Sequence, residues 1–135
     1  MQDIITVNHL SKSYGSHQVL NDISFSFEPG QIIALLGPNG SGKSSLIKIL
    51  TGLIHDYSGE VLIDGEAPGP SAKAKIAYLP EKSYLADWMR AIDAIKYIAD
   101  FYPDFDREKA MQMLDTFGLQ PKQKIKSMSK GMQEK

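Results

Sequence analysis

Apolar residues recur along this chain in three rhythms, each predicting a different element. Residues 4–10 carry Ile4, Ile5, Val7 and Leu10 and predict a strand, followed by a polar turn at Lys12-Ser13-Tyr14-Gly15-Ser16. Residues 19–27 end in Ile23-Ser24-Phe25-Ser26-Phe27. That strict alternation predicts an antiparallel strand with one buried and one wet face, and Pro29-Gly30 stops it. Ile32-Ile33-Ala34-Leu35-Leu36 is apolar throughout, as an interior parallel strand buried on both faces would be. Leu46, Ile49, Leu50 and Leu53 then recur at helical spacing and predict an apolar stripe packed on the sheet. Ser58-Gly59 and Asp64-Gly65 bracket a short strand, Glu60–Ile63. Pro68-Gly69-Pro70-Ser71 reads as a loop, and Ile76–Leu79 as a further strand ended by Pro80-Glu81. Beyond this point the rhythm is helical. Ile95, Ile98, Ala99 and Tyr102 share one face in residues 89–102. After a predicted N-cap at Asp106, Ala110, Met113, Leu114 and Phe117 share another, with Gly118 and Pro121 as the stop. A mixed β and α/β part over residues 1–81 is thus expected to precede a helical part over 82–135.

Composition narrows the classes. The chain has 135 residues, 42% hydrophobic and 23% charged, enough for one soluble domain with a core. A formal net charge of −1 supplies no bulk field toward nucleic acid or membrane. Lys122, Lys124, Lys126, Lys130 and Lys135 crowd the end of the chain, opposed there by Glu134, and read as a solvated face. There is no cysteine, hence no disulfide, thiolate metal site or thiol catalysis, which fits a reducing compartment. His9, His17 and His55 are scattered singly. No apolar run is long enough to span a bilayer, and Met1-Gln2-Asp3 opens no signal peptide. Any membrane role is expected to come through a partner.

The strongest chemical signal is Gly37-Pro38-Asn39-Gly40-Ser41-Gly42-Lys43-Ser44, which fits G-x-x-x-x-G-K-[ST] at every fixed position. Its place between an apolar run and a helical stripe matters more than the pattern. Gly37, Gly40 and Gly42 free the backbone to curl around a polyphosphate, and the unpaired N–H groups of the next helix start attract anions. Lys43 would reach the β- and γ-phosphates, and Ser44 would offer a hydroxyl to Mg2+. A Gly-rich turn that merely joins strand to helix is the bland alternative.

Around that loop, the chain resembles the nucleotide-binding subunit of ABC transporters along its whole length. Tyr14 stands where the family places an aromatic that stacks on adenine, although a Tyr packed on its own strand would look the same. Glu81 stands in the family's Q-loop, where Gln is usual. It could still ligate Mg2+ or hold water, at the cost of negative charge beside a triphosphate. Met128-Ser129-Lys130-Gly131-Met132-Gln133 stands at the signature motif, usually Leu-Ser-Gly-Gly-Gln; Ser129 and Gly131 match, whereas Met128, Lys130 and Met132 depart. Tyr84, Trp88 and Met89 fall where the family meets its membrane subunit, or else pack the helical part.

The resemblance implies a P-loop NTPase core with an antiparallel β subdomain and the start of a helical subdomain. It implies ATP and Mg2+ as cofactors, held by Tyr14, Gly37, Pro38, Asn39, Gly40, Ser41, Gly42, Lys43, Ser44, Ser45 and Glu81, with Ser44 and Glu81 toward the metal. Ser129, Lys130 and Gly131 would touch ATP held by a second ATPase subunit in a head-to-tail dimer. The other implied partner is a transmembrane permease, on the cytoplasmic face of the membrane; no nucleic acid is implied. The family's second acidic strand (Walker B), its catalytic Glu and its switch His have no counterpart here, so the expectation is a chain truncated after the signature motif. Such a chain would bind ATP–Mg2+ but barely turn it over, and the run 32–36 would lack its flanking strands. A regulatory ATPase on the same cassette, a small-molecule kinase and a non-hydrolysing nucleotide module are the other classes. Arg90 and Arg107, the only arginines, give the kinase reading no lid.

Overall fold

The N-terminal apolar stretches pair with each other in the computed structural model, which describes residues 2–80 and 85–134. Strands β1 (Ile5–Tyr14) and β2 (His17–Phe27) form an antiparallel ribbon, and β3 (Ser58–Ile63) lies antiparallel on the other edge of β1. The polar residues expected to form a turn from Lys12 instead continue β1. Lys12 faces Leu20, Ser13 faces Gln18 and Tyr14 faces His17. Continuing the ladder satisfies backbone groups that a turn would leave to solvent, so the turn shrinks to Gly15-Ser16, with Gly15 at φ 59°. Midway, the ribbon shifts register around His9 and Asp22, both at positive φ. Side chains repair the interrupted ladder there. The His9 amide donates to Ser24 Oγ at 2.8 Å, and the Asp22 amide donates to Ser11 Oγ at 2.9 Å.

Helix α1 (Lys43–Leu50) lays Leu46 and Ile49 against the sheet. With Val7, Leu10, Leu20, Val61, Ile63 and Ala72 they make one core. Leu53 does not join the stripe. The helix closes on Thr51 and a left-handed Gly52 (φ 76°), which turns the chain away before the next apolar position.

Three expectations are corrected here. Residues 32–36 form no strand, and Ile32 and Leu36 are 102% and 87% exposed. A doubly buried strand needs a neighbour on each edge and a covering layer on each face, and among the described residues none pairs with this run. Ile76–Leu79 is likewise outside the sheet; Ile76 packs on the core from an irregular segment. Pro70-Ser71 opens a short helix, α2 (Pro70–Lys73), rather than a loop, because Pro is pre-set for the first helical position.

Two compact units result, Met1–Tyr78 and Leu79–Lys135. The second is helical: α3 (Ala91–Phe101), α4 (Arg107–Thr116), a 3-10 turn at Ile125–Ser127 and α5 (Lys130–Glu134). Its core is Met89, Ala91, Ala94, Ile125 and Met128. The buried face of α3 therefore centres on two alanines, with Ile95 and Ile98 half-buried and Tyr102 exposed beyond the helix end. Small side chains let another segment approach closely, and residues 121–125 do so. The amides of Ala91 and Ile92 donate to the carbonyls of Gln123 and Pro121, and that of Ile125 to Met89. Asp106 caps α4, accepting from the Lys109 amide at 2.9 Å. No residue of α4 is fully buried, and Met113 and Phe117 lie exposed.

Candidate phosphate-binding site

Residues 37–42 make an open turn that delivers the chain into α1. Gly40 and Gly42 stand at φ 82° and 93°, conformations that a side chain strains. Gly42 is constrained twice, since a Cβ there would lie 2.5 Å from the carbonyl oxygen of Val19 on β2. Gly37 approaches from the other side, where a Cβ would lie 2.9 Å from Ser41 Oγ. The Ser41 amide donates to the Pro38 carbonyl at 3.3 Å and closes the turn. Lys43 Nζ donates to the carbonyl oxygen of Gly37, so the ammonium bridges the two ends of the loop rather than entering the core.

In front of this turn lies a pocket of about 360 Å3, lined by His17, Val19, Asn39, Gly40, Gly42, Lys43, Ser44 and Ser45. Its lining includes a helix end without a side-chain cap among the described residues, since Gly42 has no side chain to accept from α1. The other long helices differ. The start of α3 gives its amides to Gln123 and Pro121, and Asp93 accepts from Arg90; the start of α4 is closed by Asp106. The α1 terminus keeps its donors and its partial positive charge directed at the pocket, where an anion would complete them. Glycine backbone, bare amides, one ammonium and the Ser44 hydroxyl are a donor set suited to a polyphosphate carrying a divalent cation.

The remaining expected site residues fall in three places. Tyr14, at the end of β1, is 50% exposed, and its hydroxyl lies 3.2 Å from Ser45 Oγ in the first turn of α1. Its ring is thereby tied to the helix that carries the loop. Ser129, Lys130 and Gly131 belong to the second unit, where Ser129 Oγ accepts from the Met132 amide at 3.2 Å and so caps α5. Gln133 Nε2 ties that turn down, donating to the carbonyls of Ile125 and Met128 at 3.0 and 3.2 Å. Of the residues expected near the membrane partner, Trp88 is exposed whereas Met89 is buried in the helical core. Glu81 and Tyr84 lie outside the described residues. His17 and Val19 line the pocket without having been singled out.

Two ion-pair clusters shift the titration of their members. Ser71, then Lys75, hydrogen-bond the Glu66 carboxylate and hold its pKa down, while Asp64 and Glu66 hold the Lys75 ammonium up. Lys75 Nζ lies 2.7 Å from Asp64 and 3.2 Å from Glu66. In the second unit the Arg90 side chain, and then its backbone amide, hydrogen-bond Asp93 and lower its pKa; Arg90 is raised in return. Among the described residues no helix is long and apolar enough to cross a membrane.

Known proteins place this geometry in context. The family model described as ABC transporter matches residues 20–135. A zinc import ATP-binding protein, ZnuC, of Yersinia enterocolitica is 38% identical over 133 residues, covering 93% of this chain and 48% of that protein. The SkfA peptide export ATP-binding protein SkfE of Bacillus subtilis is 39% identical over 100 residues, covering 73% of this chain and 42% of its own length. The solved structure of an ATP-binding subunit of an ABC transporter superposes with a TM-score of 0.83 at 29% identity, over 97% of this chain and 58% of that one. The chain spans about half the length of the curated relatives it matches.

Proposed function

The chain belongs to the ABC transporter family of ATP-binding proteins, and from that premise we propose that it provides the ATP-gripping part of a transport ATPase subunit. The observation that carries the proposal is the uncapped start of α1 behind the glycine turn, facing a pocket lined by Lys43 and Ser44. In this reading the amides of Gly40, Gly42, Lys43, Ser44 and Ser45 surround the β- and γ-phosphates of ATP. Lys43 leaves the Gly37 carbonyl to neutralise them, Ser44 ligates Mg2+, and adenine stacks on Tyr14. Glu81 serves the metal or its water. Ser129, Lys130 and Gly131 meet the nucleotide of a second subunit, and a permease at the cytoplasmic face of the membrane receives the movement. Relatives of nearly equal identity carry the names of a zinc importer and a peptide exporter, so the proposal extends to transport coupling and names no cargo.

Hydrolysis needs a positioned water and a group to orient it or take its proton. The described residues lining the pocket include no carboxylate. We propose that this chain binds MgATP with little turnover, as a nucleotide-binding module would. Titration calorimetry of the chain against Lys43→Ala tests the assignment. Loss of a charge-assisted contact to phosphate should weaken MgATP about tenfold or more. Equal affinities would remove the loop from the binding site.

A further inference from the structure

Lys12 is the buried polar residue among those described, with 6% of its surface exposed. It stands two residues along β1 from Leu10 on one side and Tyr14 on the other, and the β1–β2 register shifts on either side of it. Leu10 is fully buried in the core. A core-facing lysine is costly, and its carboxylate partner offsets little of that cost: Lys12 Nζ lies 3.3 Å from Asp56, which is itself fully exposed. A second contact explains the position better. The ammonium stands over the Tyr14 ring, 4.8 Å from its centroid, within cation–π range. The same ring is held at its tip by Ser45. Lys12 stands over one face of the ring, and half of the Tyr14 surface remains exposed.

We propose that Lys12 is a positioning residue for the nucleobase: it clamps Tyr14 from the core side so that a purine stacks only on the outer face. The inference rests on the proposed stacking of adenine at Tyr14 and adds the group that pre-sets the ring. The ammonium also reaches Asp56, in the segment after α1, at 3.3 Å. An ordered platform spares the ligand the entropy of arranging it, so losing the clamp should weaken base-dependent binding and spare phosphate-dependent binding.

Calorimetric titrations with MgATP and with magnesium tripolyphosphate, which has no base, separate the two. Wild type should bind MgATP more tightly than tripolyphosphate. Lys12→Met should lose about fivefold toward MgATP and stay within about twofold toward tripolyphosphate, and Lys12→Arg, which keeps a cation over the ring, should recover most of the loss. Lys12→Gln carries the same comparison should Lys12→Met not fold. In a Tyr14→Ala background, Lys12→Met should have no further effect, because the clamp acts through that ring. Unchanged MgATP affinity in Lys12→Met, equal losses toward both ligands, or a full additional loss in the Tyr14→Ala background would overturn the inference alone. Wild type that binds MgATP no more tightly than tripolyphosphate would overturn the stacking reading and this inference with it.

Discussion

Gly42 concentrates several constraints of the site in one residue. It carries the left-handed turn into α1, leaves that helix uncapped and lets β2 pass close to the loop. Gly42→Ala should cost about 1–3 kcal/mol in urea unfolding, because the new methyl meets the Val19 carbonyl in a conformation already unfavourable for alanine. A change below about 0.5 kcal/mol would show that the loop relaxes freely and is not braced by β2. At this scale much of the site was legible. Gly37 to Ser44 are contiguous, and a contiguous motif needs no knowledge of the fold. His17 and Val19 were not legible, since they reach the pocket only through the β1–β2 register and the passage of β2 beside Gly42. The burial of Lys12 was hidden for the same reason: the polar stretch Lys12–Ser16 reads as a turn until its pairing partners are known.

Elements were read well where one side is wet and less well where burial was inferred from composition alone. The alternation of β2 and the helical spacing of α1 identify those elements because each carries its own contrast between buried and exposed positions. Residues 32–36 and 76–79 carry no such contrast, and whether an apolar run becomes a strand depends on a neighbouring edge. Helix α3 shows how a cap can be read and tested. Arg90 holds Asp93 below the usual carboxylate range, so the folded state binds a proton there less readily than the unfolded chain. The stabilisation is therefore present above the unfolded value of about 3.9 and is lost as pH falls through the lowered folded value. Wild type should exceed Asp93→Asn in unfolding midpoint near pH 7, and the two should converge in strong acid. Curves that stay parallel down to pH 2 would remove the Arg90–Asp93 interaction as the cause.

At the scale of the whole chain, the two units carry separate cores, one between sheet and α1 and one among the short helices. The first core positions the phosphate loop: Leu46 and Ile49 anchor α1, and β2 braces Gly42 from the side. The assignment of function therefore depends on whether the backbone of that loop meets the ligand. Amide chemical shifts of nitrogen-15-labelled chain during titration with MgATP report this most directly. Large shifts are expected at Gly40, Gly42, Lys43 and Ser44, with the amides of Ala91 and Ile92 unmoved because carbonyls already occupy them. Saturating MgATP that leaves the loop amides in place, or that moves the start of α3 instead, would contradict the assignment.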